Sequence, residues 1–238
     1  MASLADETYD TIKAKILDHG ISPGEHVGID ELARELSVSQ TPIREALARL
    51  EADGLVVKTP LRGYEATDLL SVQQFDQLFQ FRSVIEPWAA ATASRRGVRD
   101  DLEALQAELD RAERIERSTA STYADFVEHD SRFHALVARA SGNSWVEESF
   151  VKTHCHLHLF RVYTATLSAQ GVDGVFVRNM FAEYYQSSAT PLALAGHRRI
   201  VSAIAAGSDD SAAELMRRHI ESSRQRFIPA LEALSATS

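Results

Sequence analysis

Residues 36–47 read Leu36-Ser-Val-Ser-Gln-Thr-Pro-Ile-Arg-Glu-Ala-Leu47 and carry the signals of a helix start. Pro42 suits the first turn of a helix, where its missing N–H costs little. Apolar residues then recur at helical spacing, which predicts a helix over Ile43–Asp53. Asp30 is a plausible N-cap for an earlier helix over Glu31–Leu36. Two short helices joined by a short turn predict a helix-turn-helix.

The flanking residues extend this prediction on both sides. Tyr9, Ile12 and Ile16 form one apolar stripe, which predicts a first helix that ends before the glycines and proline of residues 19–24. After Gly54, residues 55–66 are rich in β-branched side chains and are interrupted by proline and glycine, which predicts a β-hairpin. Three short helices followed by a hairpin indicate a winged helix-turn-helix over residues 1–67.

The remaining sequence, residues 68–238, shows helical periodicity almost throughout. Ser71 can cap a helix that runs to Arg95. Further helices are predicted over 99–117, 121–140, 144–168, 192–206 and 209–234. Residues 168–191 are the least regular part, where we expect a loop with a short helix. The predicted fold class is therefore mainly α, with an N-terminal winged helix-turn-helix and a C-terminal all-α helical bundle.

Composition limits the classes of function. The 238 residues suffice for one large domain or two modest ones, and a single cysteine excludes an internal disulfide. Neither a signal peptide nor a membrane span is recognisable, so we expect a cytoplasmic protein without a membrane partner. Lys and Arg number 25 against 34 Asp and Glu, and this net charge of −9 argues against non-specific binding to nucleic acid.

The predicted helix over Ile43–Asp53 and the predicted hairpin are nevertheless locally basic. Arg44 and Arg49 are accompanied by one acid, Glu45, and the hairpin adds Lys58 and Arg62. At the start of that helix, hydroxyl, amide and guanidinium groups are available for phosphates and base edges. They belong to Ser39, Gln40, Thr41 and Arg44. Taken alone, the heptapeptide of residues 39–45 is better explained as an ordinary helix N-terminus, and its sequence context changes this balance.

A wider set of residues resembles the GntR family of bacterial transcription regulators. The resemblance covers about residues 5–66 and rests on Pro23-Gly24, Glu31-Leu-Ala, the stretch 36–47, Leu50, Gly54-Leu-Val56 and Arg62-Gly63. It implies operator contacts from Ser39, Thr41 and Arg44, with Arg49 and Arg62 as further candidates. It also implies that Gly63 approaches the minor groove. Gln40 stands where many members have arginine, which leaves the base preference open.

The C-terminal half contains a possible metal-binding set. Asp130 and His134 lie four residues apart and so share one helix face. His197 and His219 lie at similar distances, about 15–16 Å, from the turn near Ser208, so they should meet across a helical hairpin. One aspartate and three histidines suit Zn²⁺, Ni²⁺, Mn²⁺ or Fe²⁺. Alternatively, each histidine is an ordinary hydrogen-bonded core residue.

Several segments are similar to the FCD effector domain of the FadR subfamily. They are Phe81-Arg-Ser-Val-Ile-Glu86, His129-Asp-Ser-Arg-Phe-His134, Ser141-Gly-Asn143, Gly196-His197-Arg-Arg-Ile200 and Met216-Arg-Arg-His219. The resemblance covers about residues 70–230. In metal-binding members of that domain, the ligands are an aspartate and a histidine four residues apart and two later histidines. This implies Asp130, His134, His197 and His219 as ligands of a divalent transition metal, with Zn²⁺ favoured.

A small-molecule effector is expected beside the metal. His154, His158 and Arg161 follow helical spacing at i, i+4 and i+7, and Arg82 lies in the first bundle helix. These cationic groups predict an anionic ligand, most simply a small organic acid, which relatives of this subfamily commonly sense. Alternatively, His154, His156 and His158 form an exposed polar stripe, and Arg82 pairs with Glu86 in a structural role.

We expect a homodimeric, non-enzymatic regulator that binds a pseudo-palindromic operator and responds to metal and carboxylate. Trp88 and Trp145 are candidate anchors of the core or of an interface. Two alternatives remain at this point. Adjacent His129 and Asp130 in a histidine-rich bundle suggest a metal-dependent hydrolase. The other alternative is a metal-free regulator with an apolar effector.

Overall fold

The structure, a computed structural model, describes residues 3–118, 123–168 and 192–235. The chain divides into two compact units, Met1–Leu69 and Leu70–Ser238. Within the described ranges, no helix is both long and apolar enough to cross a lipid bilayer.

The first unit is a helix-turn-helix with a small sheet, as the sequence predicts. Its elements in chain order are α1 (Leu4–Leu17), β1 (His26–Val27), α2 (Ile29–Glu35), α3 (Gln40–Ala52), β2 (Val56–Thr59) and β3 (Gly63–Ala66). The predicted hairpin is formed by β2 and β3, which pair antiparallel with Lys58 opposite Tyr64. The two-residue strand β1 was not predicted, and it joins the other edge of β3.

The helix boundaries differ slightly from the prediction. Ser39 has the extended backbone of an N-cap, so α3 begins three residues earlier than predicted. The N-cap residue of α2 is Gly28 and not the predicted Asp30. Buried Ile43, Ala46, Leu47 and Leu50 fix the inner face of α3. Its opposite face is therefore left to solvent.

The second unit is a helical bundle. Its helices are α4 (Val72–Arg96), α5 (Arg99–Arg117), α6 (Tyr123–Ala140), α7 (Ser144–Lys152), α8 (Cys155–Ser168), α9 (Leu192–Ala205) and α10 (Asp209–Ser235). Buried apolar side chains from five of these helices make most of the core. They include Phe75, Phe79, Leu105, Leu109, Phe133, Val137, Ile200, Ile204, Met216 and Ile220.

The predicted single helix over 144–168 is wrong, because α7 and α8 are separate helices. His154 adopts a left-handed backbone with φ of 46°, which ends the regular helical path. Thr153 Oγ1 then accepts a hydrogen bond from the Cys155 N–H at 3.3 Å and supports the restart. The predicted loop after Ser168, up to residue 191, lies outside the described residues.

Candidate metal centre and DNA-binding surface

Four buried side chains direct one ligand atom each toward a common point. They are Asp130, His134, His197 and His219, and their ligand atoms all lie within 4.8 Å of one another. His197 Nε2 lies 3.1 Å from Asp130 Oδ1. His219 Nε2 lies 3.2 Å from Nε2 of both His134 and His197. The structure therefore brings together all four predicted metal ligands.

Three helices position these ligands. Asp130 and His134 follow one another by one turn on α6, and Asp130 Oδ1 lies 3.7 Å from His134 Nε2. His197 on α9 and His219 on α10 face each other across the helical hairpin, as the sequence predicts. Gly207, with φ of 68°, makes the turn between them, where a left-handed backbone favours glycine.

Gly196 makes room for one of the ligands. A Cβ atom at this position would lie 2.7 Å from His219 Nδ1, closer than real contacts allow. Glycine in the body of a helix costs roughly 1 kcal/mol relative to alanine. The close approach of the His219 ring is the structural reason for a glycine here.

The outward-facing atoms of His134 and Asp130 are also engaged. Glu86 on α4 accepts a short hydrogen bond from His134 Nδ1. His156 on α8 places its Nε2 3.2 Å from Asp130 Oδ2. Outer partners of this kind fix ring tautomers and carboxylate orientation in metal sites.

The histidines are neutral and suited to metal binding at neutral pH. Burial lowers the pKa of His134 to about 4 and the pKa of His197 and of His219 to about 3. Burial also opposes ionisation of Asp130, but His156 and His197 hold its pKa well below the usual range. The set therefore offers three neutral imidazoles and one carboxylate.

The chemistry of this set fits a divalent transition metal. Glu86 can only accept a hydrogen bond, so His134 Nδ1 carries the proton and His134 Nε2 directs a lone pair inward. In a tetrahedral site, metal–ligand bonds of about 2.0–2.2 Å would place the ligand atoms roughly 3.3–3.6 Å apart. The observed separations of 3.1, 3.2 and 3.7 Å are close to this spacing.

The predicted effector residues fall into two groups. Arg82 is buried beside the four-residue cluster, with Nη2 3.5 Å from both ring nitrogens of His134. It also forms a short ion pair with Glu86 and donates to Cys155 Sγ at 3.2 Å. The structural pairing with Glu86 is thus present, and the Arg82 guanidinium lies against a candidate ligand.

The other three effector candidates lie on or next to α8. His154 is not on the helix, because it lies in the break before α8, so the predicted helical spacing from His154 is wrong. Arg161 is buried. Burial, together with the nearby Arg161 and His154, lowers the pKa of His158 to about 4.

Two buried histidines near the cluster, His129 and His156, were not predicted as metal ligands or effector-binding residues. His156 belongs to a group that the sequence allowed to be an exposed stripe, yet its side chain is 2 % exposed and faces Asp130. His129 lies about 100° around the helix from Asp130, which excludes it from the ligand face. It contacts His197 from behind, with His129 Nε2 2.9 Å from His197 Nδ1. In the sequence, only the adjacency of His129 to Asp130 indicated that His129 lies near the four-residue cluster.

In the first unit, the candidate DNA-binding side chains lie on the solvent face of α3 and in the hairpin. Those of Ser39, Gln40, Thr41, Arg44, Arg49 and Arg62 are exposed, and Gly63 is half-buried with φ of 89°. The Ser39 side chain makes no capping hydrogen bond. The N-terminal turn of α3 therefore presents polar groups outward.

Three of these side chains, those of Gln40, Arg44 and Arg49, have intramolecular partners. Gln40 donates to Asp30 and accepts from Arg44 Nη2 at 3.2 Å, so Gln40 steadies that guanidinium. Arg49 pairs with Asp6 at 2.8 Å and lies over the Tyr9 ring at 4.2 Å. Exposed ion pairs of this type contribute little to stability, so Arg49 is able to exchange Asp6 for a phosphate.

Comparison with known proteins gives two family matches. Residues 77–222 match the family described as "FCD domain", and residues 4–65 match "Bacterial regulatory proteins, gntR family". The Nta operon transcriptional regulator of Aminobacter aminovorans is 28% identical over 84% of this chain and 82% of its own. The HTH-type transcriptional regulator LutR of Bacillus subtilis is 26% identical, over 84% of this chain and 90% of its own.

Solved structures agree on the fold. A putative transcriptional regulator GntR from Rhodococcus sp. RHA1 matches with a TM-score of 0.62 and 20% identity, covering 96% of this chain and 99% of its own. Escherichia coli McbR/YncC matches with a TM-score of 0.61 and 17% identity, covering 94% of this chain and 96% of its own. The named relatives are regulators and not enzymes, so the hydrolase alternative has no support among them.

Proposed function

We propose a function for this chain from the premise that it belongs to the FCD-domain family of gntR-type bacterial transcriptional regulators. It is a DNA-binding transcriptional regulator. In our proposal, residues 68–238 bind a divalent transition metal and a small carboxylate, and this binding modulates the operator affinity of residues 1–67. Because a DNA-binding regulator acts where the DNA is, we propose a cytoplasmic location.

One observation carries the proposal: the convergence of Asp130, His134, His197 and His219 on a single buried point. The nitrogen-rich donor set with one carboxylate favours Zn²⁺, with Ni²⁺, Mn²⁺ and Fe²⁺ as competitors. Four protein ligands would hold the ion. When bound, the metal would supply a fixed positive charge able to accept an anionic oxygen.

The carboxylate proposal is supported by the cationic side chains around this point. Arg82 lies 3.5 Å from His134, and its guanidinium has five N–H donors, of which the ion pair with Glu86 uses only part. His154, His158 and Arg161 are the further candidates on the α8 side. Regulation requires that the carboxylate bind more tightly to one of the two DNA-affinity states.

For DNA recognition, we propose that α3 enters the major groove, with Ser39, Gln40, Thr41 and Arg44 toward base edges and phosphates. Arg49 and the wing residues Arg62 and Gly63 would extend the contact. The exposed polar face of α3 supports this orientation because the opposite face is buried in the core of the unit.

We further propose a homodimer of the FadR type. Phe81, Val84 and Trp88 are spaced three and four residues apart on α4, and their exposed fractions are 37%, 73% and 44%. Together they form an apolar stripe suited to a second copy of the chain. Two copies would read two half-sites of a pseudo-palindromic operator. Trp145, 77% exposed, is not a core anchor.

The experiment measures operator affinity by fluorescence anisotropy, on a duplex that the wild-type protein has selected from a random library. Protein without a histidine tag is loaded with Zn²⁺ or treated with chelator, and a panel of small carboxylates is added. We expect a carboxylate to change the affinity of the Zn²⁺-loaded protein by about 5- to 150-fold and to leave the chelated protein unaffected. Equal effects with and without Zn²⁺ would favour the metal-free regulator.

A further inference from the structure

A buried chain of polar side chains runs outward from His197. His197 Nδ1 lies 2.9 Å from His129 Nε2 on α6. His129 Nδ1 in turn lies 3.0 Å from Glu108 Oε1 on α5. All three side chains are at most 7% exposed. Three helices of the bundle, α5, α6 and α9, thus meet in one hydrogen-bonded series.

The chemistry of Glu108 fixes the direction of the series. An ionised carboxylate has only acceptors, so His129 Nδ1 must be the donor to Glu108. In a neutral ring, His129 Nε2 is then an acceptor, and His197 Nδ1 donates to it. His197 Nε2 is thereby left with its lone pair directed toward Asp130 and His219. A metal at the centre would demand this same arrangement from the other end.

Arginines at the protein surface keep Glu108 in its ionised form. Arg111 lies 3.3 Å and Arg132 3.5 Å from the Glu108 carboxylate. Burial opposes ionisation of Glu108, but the hydrogen bond with His129 and the charge of Arg111 hold its pKa below the ordinary value. The outer end of the series is therefore a fixed negative charge.

We infer that Glu108 and His129 are positioning residues that act through His197, holding its ring so that Nε2 is the unprotonated, inward-facing nitrogen. The inference rests on the proposed metal site. Removal of a partner behind a metal-bound histidine commonly lowers metal affinity about 10- to 100-fold. Here the partner is a second histidine, and the carboxylate lies one residue further out.

The chain offers a matched control in Glu128. This exposed carboxylate pairs with the same two arginines, at 3.2 Å from Arg111 and 2.7 Å from Arg132. Its exposure places it outside the buried series. Glu128→Gln therefore removes a neighbouring charge of the same sign and pairing and leaves the hydrogen bonds behind His197 intact.

The test measures Zn²⁺ affinity of the full-length, tag-free protein by competition with a chromophoric chelator. We expect His129→Leu to weaken Zn²⁺ binding about 10- to 100-fold. Glu108→Gln should act in the same direction with a smaller effect, because an amide can still accept one hydrogen bond. Glu128→Gln should leave the affinity unchanged. Circular dichroism verifies helical content, and Glu108→Gln, which preserves side-chain volume, serves as the test if His129→Leu fails to fold.

A spectroscopic measurement separates positioning from simple stabilisation. In Zn²⁺-loaded protein with ¹⁵N-labelled histidine, long-range NMR correlations should place the proton of both His129 and His197 on Nδ1. If the wild type binds Zn²⁺ and the variants bind it with the same affinity, the inference is overturned and the metal site is retained. The same conclusion follows if His129 carries its proton on Nε2 alone. A wild type that binds no Zn²⁺ overturns the proposed metal function, and the inference with it.

Discussion

Replacement of Gly196 by alanine gives the sharpest test of the geometry at His219. The added methyl group would lie 2.7 Å from His219 Nδ1, whereas ordinary contacts begin at 3.4 Å. The ring must therefore withdraw by about 0.7 Å, and metal sites hold their ligand distances to about 0.2 Å. We expect Gly196→Ala to lose at least about 100-fold in Zn²⁺ affinity, or roughly 2.7 kcal/mol.

Elsewhere in a helix, replacement of glycine by alanine is favourable for the stability of the protein. Glycine to alanine within a helix stabilises a protein by about 1 kcal/mol when nothing is in the way. Ser202→Ala, on the exposed side of the same helix, is the control, because it also raises helix propensity and should leave Zn²⁺ affinity unchanged. Chelator competition gives the affinity and urea unfolding the stability. If Gly196→Ala is more stable and binds Zn²⁺ as tightly as wild type, the assignment of His219 as a ligand is refuted.

Three further predictions concern DNA binding, pH and assembly. Arg44→Ala should weaken binding to the selected operator by ~1–3 kcal/mol in anisotropy titrations and leave metal content unchanged; an unaltered affinity would contradict the placement of α3. In chelated protein, burial lowers the pKa of His134 to about 4 and that of His197 and His219 to about 3, from 6.5. Below about pH 6.5 the unfolded chain therefore binds more protons than the folded chain, which lowers the free energy of unfolding. The urea concentration at the unfolding midpoint should be lower at pH 5 than at pH 7; a midpoint independent of pH would be inconsistent with neutral buried rings. Val84→Glu should raise the dimer Kd by at least about tenfold in sedimentation, because it places an unpaired charge in an apolar contact; an unaffected dimer would locate the interface elsewhere.

The sequence was most informative where the signals are local. The helix-turn-helix could be predicted because Ser39, Pro42 and the apolar spacing of α3 lie within one short stretch. The ligand pair on α6 follows from helical periodicity, and the meeting of His197 and His219 follows from their equal distance to one turn. Each of these inferences needs only the rise and period of a helix.

Other features depend on distant contacts or on an unusual backbone. Strand β1 has two residues, too few for an alternating pattern. The break at His154 uses a left-handed histidine where neither glycine nor proline marks the end of a helix. Glu86 reaches His134 across 48 residues, and His129 reaches His197 across 68. Their roles follow from the packing of the bundle, which no local pattern records.

Elemental analysis of tag-free protein measures whether the helical unit holds a metal ion. The wild type and the His197→Ala/His219→Ala double variant are loaded with Zn²⁺, dialysed and measured side by side. We expect one bound ion per chain in the wild type and none in the double variant. A wild type without metal, or equal metal content in both proteins, would show that these histidines do not form a metal centre.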